Sequence, residues 1–213
     1  MKIKFRKLAA VLVICLMSSL AAFICYEGAV AANSSLKTTT STMKTPQHGG
    51  VLRLEFPTDA VVIGWPAMMQ SSTEVTLSRI SIESLGTYDK NGQPIPYLAK
   101  KWILDAKAKT VTISLKKGIK FHDGTNFDAK ACKWNVDQFR TSGRPELKSV
   151  SSVDIVDDYT VRLNLDTWDN TIPGRLSLAG PGMMISPTAF EKNGKDWCFK
   201  HPVGTGPFKL VQW

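Results

Sequence analysis

Alternation of apolar and polar residues is clearest at Thr110–Leu115, where Val111, Ile113 and Leu115 alternate with Thr110, Thr112 and Ser114. A period of two places one set on each face, so this segment reads as a half-buried strand. Lys117-Gly118 turns the chain, Ile119–Phe121 reads as a short return strand, and Asp123-Gly124 turns it again. Ala129, Cys132, Val136 and Phe139 then recur at helical spacing, with Asp128 placed to cap a helix from Ala129 to about Arg140. A second hairpin follows: Val150–Val156, a turn at Asp157-Asp158, then Tyr159–Leu165 with Val161, Leu163 and Leu165 on one face.

The flanking segments are less regular. Val51–Phe56 has Leu52, Leu54 and Phe56 on one side and predicts a strand, stopped by Pro57-Thr58-Asp59. Residues 60–72 show no period yet contain Gly64, Trp65, Pro66, Met68 and Met69; so apolar a loop is either buried or lines a cavity. Thr73–Leu85 predicts a helix ending at Gly86, and Tyr88–Gly92 is a turn built on Asn91-Gly92. From Trp168 the chain is loop-rich, with a short helix expected at Ser186–Asn193. Gly204-Thr205-Gly206-Pro207 turns into an expected strand, Phe208–Trp213, and the sequence stops inside it, which suggests a chain that is cut short.

The first residues follow different rules. Lys2, Lys4, Arg6 and Lys7 precede an apolar run from Leu8 to Met17 and a second from Leu20 to Cys25, and Ala29-Val30-Ala31 supplies small residues for cleavage. That is the pattern of a secretory signal peptide, expected over 1–31, with a retained membrane anchor as the alternative. Residues 32–48, rich in Ser, Thr and Lys, read as a flexible leader. The signal segment carries four of the 27 basic residues and one of the 18 acidic ones, so its loss lowers the net charge from +9 to +6. Cys15 and Cys25 leave with it, and Cys132 and Cys198 remain. In an oxidising compartment they could pair, but Cys132 sits on an apolar helix stripe, where free cysteine behaves as a small hydrophobe.

Catalytic and metal signatures do not assemble. The chain has no HExxH, GxSxG or phosphate-binding loop. None of His48, His122 and His201 stands three or four residues from another, and the two mature cysteines lack CxxC spacing. The lysines come in scattered pairs (Lys100-Lys101, Lys116-Lys117) without interleaved aromatics, so nucleic acid is not an expected partner. No metal, cofactor or catalytic residue is expected.

Motifs in series are more telling. Glu83-Ser84-Leu85 with Tyr88-Asp89, Gly92, Pro96–Trp102, Thr110–Leu115, Lys117–Thr125 and Phe127-Asp128-Ala129 come first. Val156–Val161, Ile185-Ser186-Pro187 and Pro202–Phe208 continue the order. Together they resemble the family 5 extracellular solute-binding proteins, the peptide and nickel receptors of ATP-binding-cassette importers. The resemblance covers nearly all of 49–213.

That resemblance implies a two-lobed α/β fold of the periplasmic-binding-protein type, closing on its ligand by a hinge. Residues 49–213 would form a partial solute-binding domain, the first lobe, without the second. Within it, 49–88 and 180–213 would form the mixed sheet of lobe I and 89–179 an inserted α+β subdomain. The implied function is capture of short peptides or a related small solute outside the cytoplasmic membrane, for delivery to membrane permease subunits. A periplasmic monomer without catalysis follows from the same likeness; an exported hydrolase, or a sensory or chaperone-like binder, is the alternative. Candidate ligand residues are Trp65, Met68, Gln70, Ser71 and Glu74 in the irregular loop that follows a sheet strand, with Met183 and Thr205 from segments expected to return to the same lobe. Glu74 could pair with a cationic group, and the methionines serve equally well as core filler.

Overall fold

The computed structural model describes residues 49–213; the expected signal segment and leader lie outside the described residues. In the unit Leu54–Trp213, the central element is a four-stranded antiparallel sheet in the order β3-β4-β6-β5. Its strands are β3 (Ala99–Asp105), β4 (Thr110–Leu115), β5 (Val150–Asp157) and β6 (Thr160–Leu165). Val111 faces Leu104 on one side and Leu163 on the other, and Ile113 faces Trp102 and Val161. One face of the sheet is therefore apolar from β4 to β5, and Val111, Ile113, Val161 and Leu163 are fully buried. Against it lies α2 (Ala129–Arg140), whose stripe Ala129, Cys132, Val136 and Phe139 is buried as its spacing predicts. The Asp128 side chain accepts the Ala131 N–H at 2.9 Å and so caps the helix.

The sequence reading of the first hairpin needs correction. Ile119–Phe121 is not a strand; only Lys120 bridges, to Asn126. Both edges of β4 are already taken, by β3 and β6, so no ladder is left for a return strand. Phe121 instead packs edge-to-face on Phe127 at 5.8 Å.

The helix expected over Thr73–Leu85 is also shorter. It forms as α1 (Ser72–Ser78) with a capping box in which the Ser71 hydroxyl and the Glu74 carboxylate each bond the other's backbone N–H. Beyond it, Ile82 and Leu85 are fully buried. Leu85 donates to the Gly182 carbonyl at 2.8 Å and the chain enters β1 (Gly86–Tyr88), so packing overrides helix propensity. The Asn91-Gly92 turn, with Gly92 at φ 74°, joins β1 to its antiparallel partner β2 (Pro94–Pro96).

Two further strands expected at 51–56 and 208–213 do not form. No strand pairs with either among the described residues, and a lone strand leaves its backbone groups without a ladder. Val51, Leu52, Leu54, Phe208, Val211 and Trp213 are all more than half exposed. The segments around 84 and 183 do meet, through a bridge between Ser84 and Met183. Short helices complete the chain: α3 (Ile172–Arg175), α4 (Pro187–Asn193), which is the helix expected at Ser186–Asn193 and is capped by Ser186, and α5 (Lys195–Cys198). Cys132 and Cys198 are both free and buried.

Candidate functional site

The irregular loop before α1 is organised by one carboxylate. Glu74 Oε1 accepts the backbone N–H groups of Val61 and Val62 at 3.2 and 3.0 Å, and Oε2 those of Gln70 and Ser71 at 2.8 and 3.0 Å. Burial alone would raise its pKa, but these four donors outweigh that and hold the carboxyl below its ordinary value. Both oxygens are thus committed to the loop's own backbone. Held this way, the loop buries Val62, Trp65, Ala67 and Met69 and makes a single 3-10 turn at Pro66–Met68. Trp65 stacks on Phe190 at 4.4 Å and meets Trp134 edge-on at 5.9 Å.

On the loop's other side lies a cleft of about 490 Å³, within the usual range for small-ligand sites. One wall is Pro66, Met69, Gln70 and Ser71 with the first turns of α1. The opposite wall is Arg144 and Glu146 from the 3-10 turn at Pro145–Leu147, Arg175 at the end of α3, and the stretch Ala179-Gly180-Pro181. Arg144 Nη1 donates to the Met69 carbonyl at 2.5 Å, tying the two walls together. The hydrogen bond from Arg144, helped by the charge of Arg175, holds the Glu146 carboxyl below the ordinary carboxylate range although burial opposes it.

Of the seven candidates from the sequence, the structure brings Gln70 and Ser71 into this cleft. Trp65 and Met183 line a separate void of about 10 Å³, at the lower limit of what one water molecule needs, and act there as packing groups. Met68 is half-buried against the core, and Glu74 lies inside the loop it orders. Thr205 stands elsewhere, donating to Glu83 Oε2 at 2.7 Å. Sequence reasoning missed Arg144 and Arg175: they are far apart in the chain and share no local pattern with the loop they face. Among the described residues no group of three or more His, Cys, Asp or Glu could hold a metal ion, and no helix is long and apolar enough to cross a membrane.

A mixed α/β body with a solvent-facing cleft bounded by irregular loops is the architecture of periplasmic-binding-protein-like folds. NikA from Brucella suis, solved with Fe(III)-EDTA, matches 72% of this chain with a TM-score of 0.61 and 29% identity, over 32% of its own chain. An ABC transporter substrate-binding protein from Sinorhizobium meliloti matches the same share at a TM-score of 0.60 and 33% identity, again over 32% of that chain. The family described as bacterial extracellular solute-binding proteins, family 5 (middle) matches residues 93–213, more than half of the sequence, and the chain belongs to that family. The glutathione-binding protein GsiB of Pectobacterium atrosepticum is 34% identical over 157 residues, which is 70% of this chain and 29% of GsiB. The chain therefore spans about a third of the length of the relatives it matches.

Proposed function

We propose that this chain belongs to the solute-binding component of an ABC importer, which captures a short peptide outside the cytoplasmic membrane and passes it to the permease without making or breaking bonds. Membership of family 5 carries this reading. The identity to GsiB supports the peptide class, since glutathione is itself a tripeptide. In this reading 1–31 is removed on export to the periplasm, 32–48 is a leader, and the protein acts as a monomer. Residues 49–88 and 180–213 belong to one lobe, with 89–179 inserted into it.

The cleft beside α1 then forms one wall of the ligand site. Gln70 and Ser71 face the solute, Trp65, Met68, Glu74 and Met183 fix the shape of the wall, and Thr205 braces the lobe through Glu83. A ligand that also touches a second lobe binds the closed state better than the open one, and that difference drives closure. Calorimetry of the full-length exported protein against glutathione and a panel of di- to tetrapeptides tests the proposal. Micromolar or tighter binding to at least one is expected, and binding of none of them defeats the peptide reading.

A further inference from the structure

We propose that Asn91 is a site of spontaneous covalent modification, where the Asn91-Gly92 turn loses ammonia and is hydrolysed to aspartate and isoaspartate. The sequence holds two Asn-Gly pairs, Asn91-Gly92 and Asn193-Gly194, and the fold leaves only the first open to this chemistry. Lys90, Asn91 and Gly92 are exposed at the tip of the β1–β2 hairpin. Among the described residues no partner holds the Asn91 side-chain amide, while its backbone N–H donates to Asp89 Oδ1 at 2.8 Å. The Gly92 N–H is held by one bond, to the Asp89 carbonyl at 3.0 Å, inside the same turn. An exposed loop tip opens at small cost, and each opening frees that nitrogen.

Asn193 ends α4 and is closed twice over. Its Nδ2 donates to the Ala189 carbonyl at 2.9 Å, and the Gly194 N–H donates to the Phe190 carbonyl at 2.8 Å, continuing the helix ladder. Gly92 and Gly194 are equally uncrowded, with no atom beyond their chain neighbours within 4 Å of where a Cβ would stand. Space therefore does not separate the two pairs; hydrogen bonding does.

The step balances with water as its only co-reactant. The Gly92 nitrogen gives its proton to solvent and attacks Asn91 Cγ. The new C–N bond closes a succinimide ring, the Cγ–Nδ2 bond breaks, and Nδ2 leaves as ammonia after taking up a proton. Water then adds to either ring carbonyl. One opening gives aspartate; the other gives isoaspartate, with the main chain rerouted through Cβ and Cγ. Both products set a new carboxylate beside Asp89, and isoaspartate also lengthens the loop that Asp89 Oδ1 pins through the Asn91 and Gln93 N–H groups.

The test follows both pairs in one sample. Full-length exported protein is kept in mildly alkaline buffer, native and in urea, and sampled over weeks by peptide mapping with mass spectrometry. In urea the two pairs should convert at equal rates. In the native protein Asn91 should convert about tenfold or more faster than Asn193, the margin that the helix-end bonds provide. Gly92→Ala should slow Asn91 and leave Asn193 unchanged, because a methyl group then stands beside the attacking nitrogen. If that variant fails to fold, the native rates of the two pairs in the unaltered protein decide alone. Equal native rates, or an Asn91 that stays intact while the urea sample converts, overturn the assignment.

Discussion

Asn135 on α2 bonds Ile185 in both directions: its Nδ2 donates to the Ile185 carbonyl at 2.8 Å and its Oδ1 accepts the Ile185 N–H at 3.0 Å. The side chain stands in for a neighbouring strand, satisfying a buried stretch of backbone that no sheet reaches. It also locks α2 to the segment Met183–Ser186 that leads into α4. Asn135→Leu should leave two buried backbone groups without partners and lower stability by about 2–5 kcal/mol. Urea unfolding followed by circular dichroism measures this directly.

Glu74 gives the loop before α1 a pH dependence whose sign is fixed by its four backbone donors. Its folded pKa is depressed, so the stabilisation is complete above the unfolded value, about 4.3, and is lost as pH falls below that toward the folded value. Asp123, Glu146 and Asp169 are depressed too and add to the same acid limb. Glu74→Gln should therefore be less stable at pH 7 and show a shallower loss between about pH 5 and pH 3. Melting curves of both proteins across that range would show it, and parallel curves would mean that the carboxylate charge does not matter.

What was legible in the sequence was local. The α2 helix announces itself through Asp128 and its stripe, β6 through the alternation of Val161, Leu163 and Leu165, and β5 as the arm that the Asp157-Asp158 turn folds back onto it, because each signal is local. Strand β3 did not, since Lys100, Lys101, Ile103 and Leu104 sit on an exposed sheet edge where no burial imposes alternation. Ile82 and Leu85 have helical spacing, but the chain leaves the helix before them and is held by contacts about a hundred residues away, Leu85 to Gly182 and Ser84 to Met183. The cleft is non-local in the same way: Arg144 and Arg175 meet only at Glu146. The sequence reading gives Glu74 a ligand role; its spacing from Ser71 is that of a capping box, a local signal which that reading passes over, whereas its bonds to Val61 and Val62 could not be read from spacing.

Burial makes both cysteines inert. The Cys132 thiol is pushed up to about 12 by loss of solvent, with Asp128 adding to it, and that of Cys198 to about 11 by burial. At pH 8 only about one Cys132 thiol in ten thousand would be ionised, and the thiolate is the reactive form. The folded protein should react with a thiol reagent at least a hundredfold more slowly than the same protein in guanidinium. Rapid labelling of either cysteine in the native state would show that its cover opens.

Gly204 has a different reason to be glycine. A Cβ there would overlap the Ser81 carbonyl oxygen and lie 2.7 Å from Ile82 Cα, both backbone atoms that cannot swing aside. The approach is close because this turn is stitched to its neighbours: Gly204 accepts from His122 N–H at 2.9 Å, and Gly206 donates to the Ser81 carbonyl at 3.0 Å. Gly204→Ala should cost about 3 kcal/mol or more, as overpacking against fixed backbone does. Gly92→Ala is the natural comparison, since open space surrounds it and only its positive φ is strained. That change should cost about 1 kcal/mol. Equal losses for the two would mean that the 204–206 turn can shift away from residues 81–82, and that its contacts there are not what fixes it.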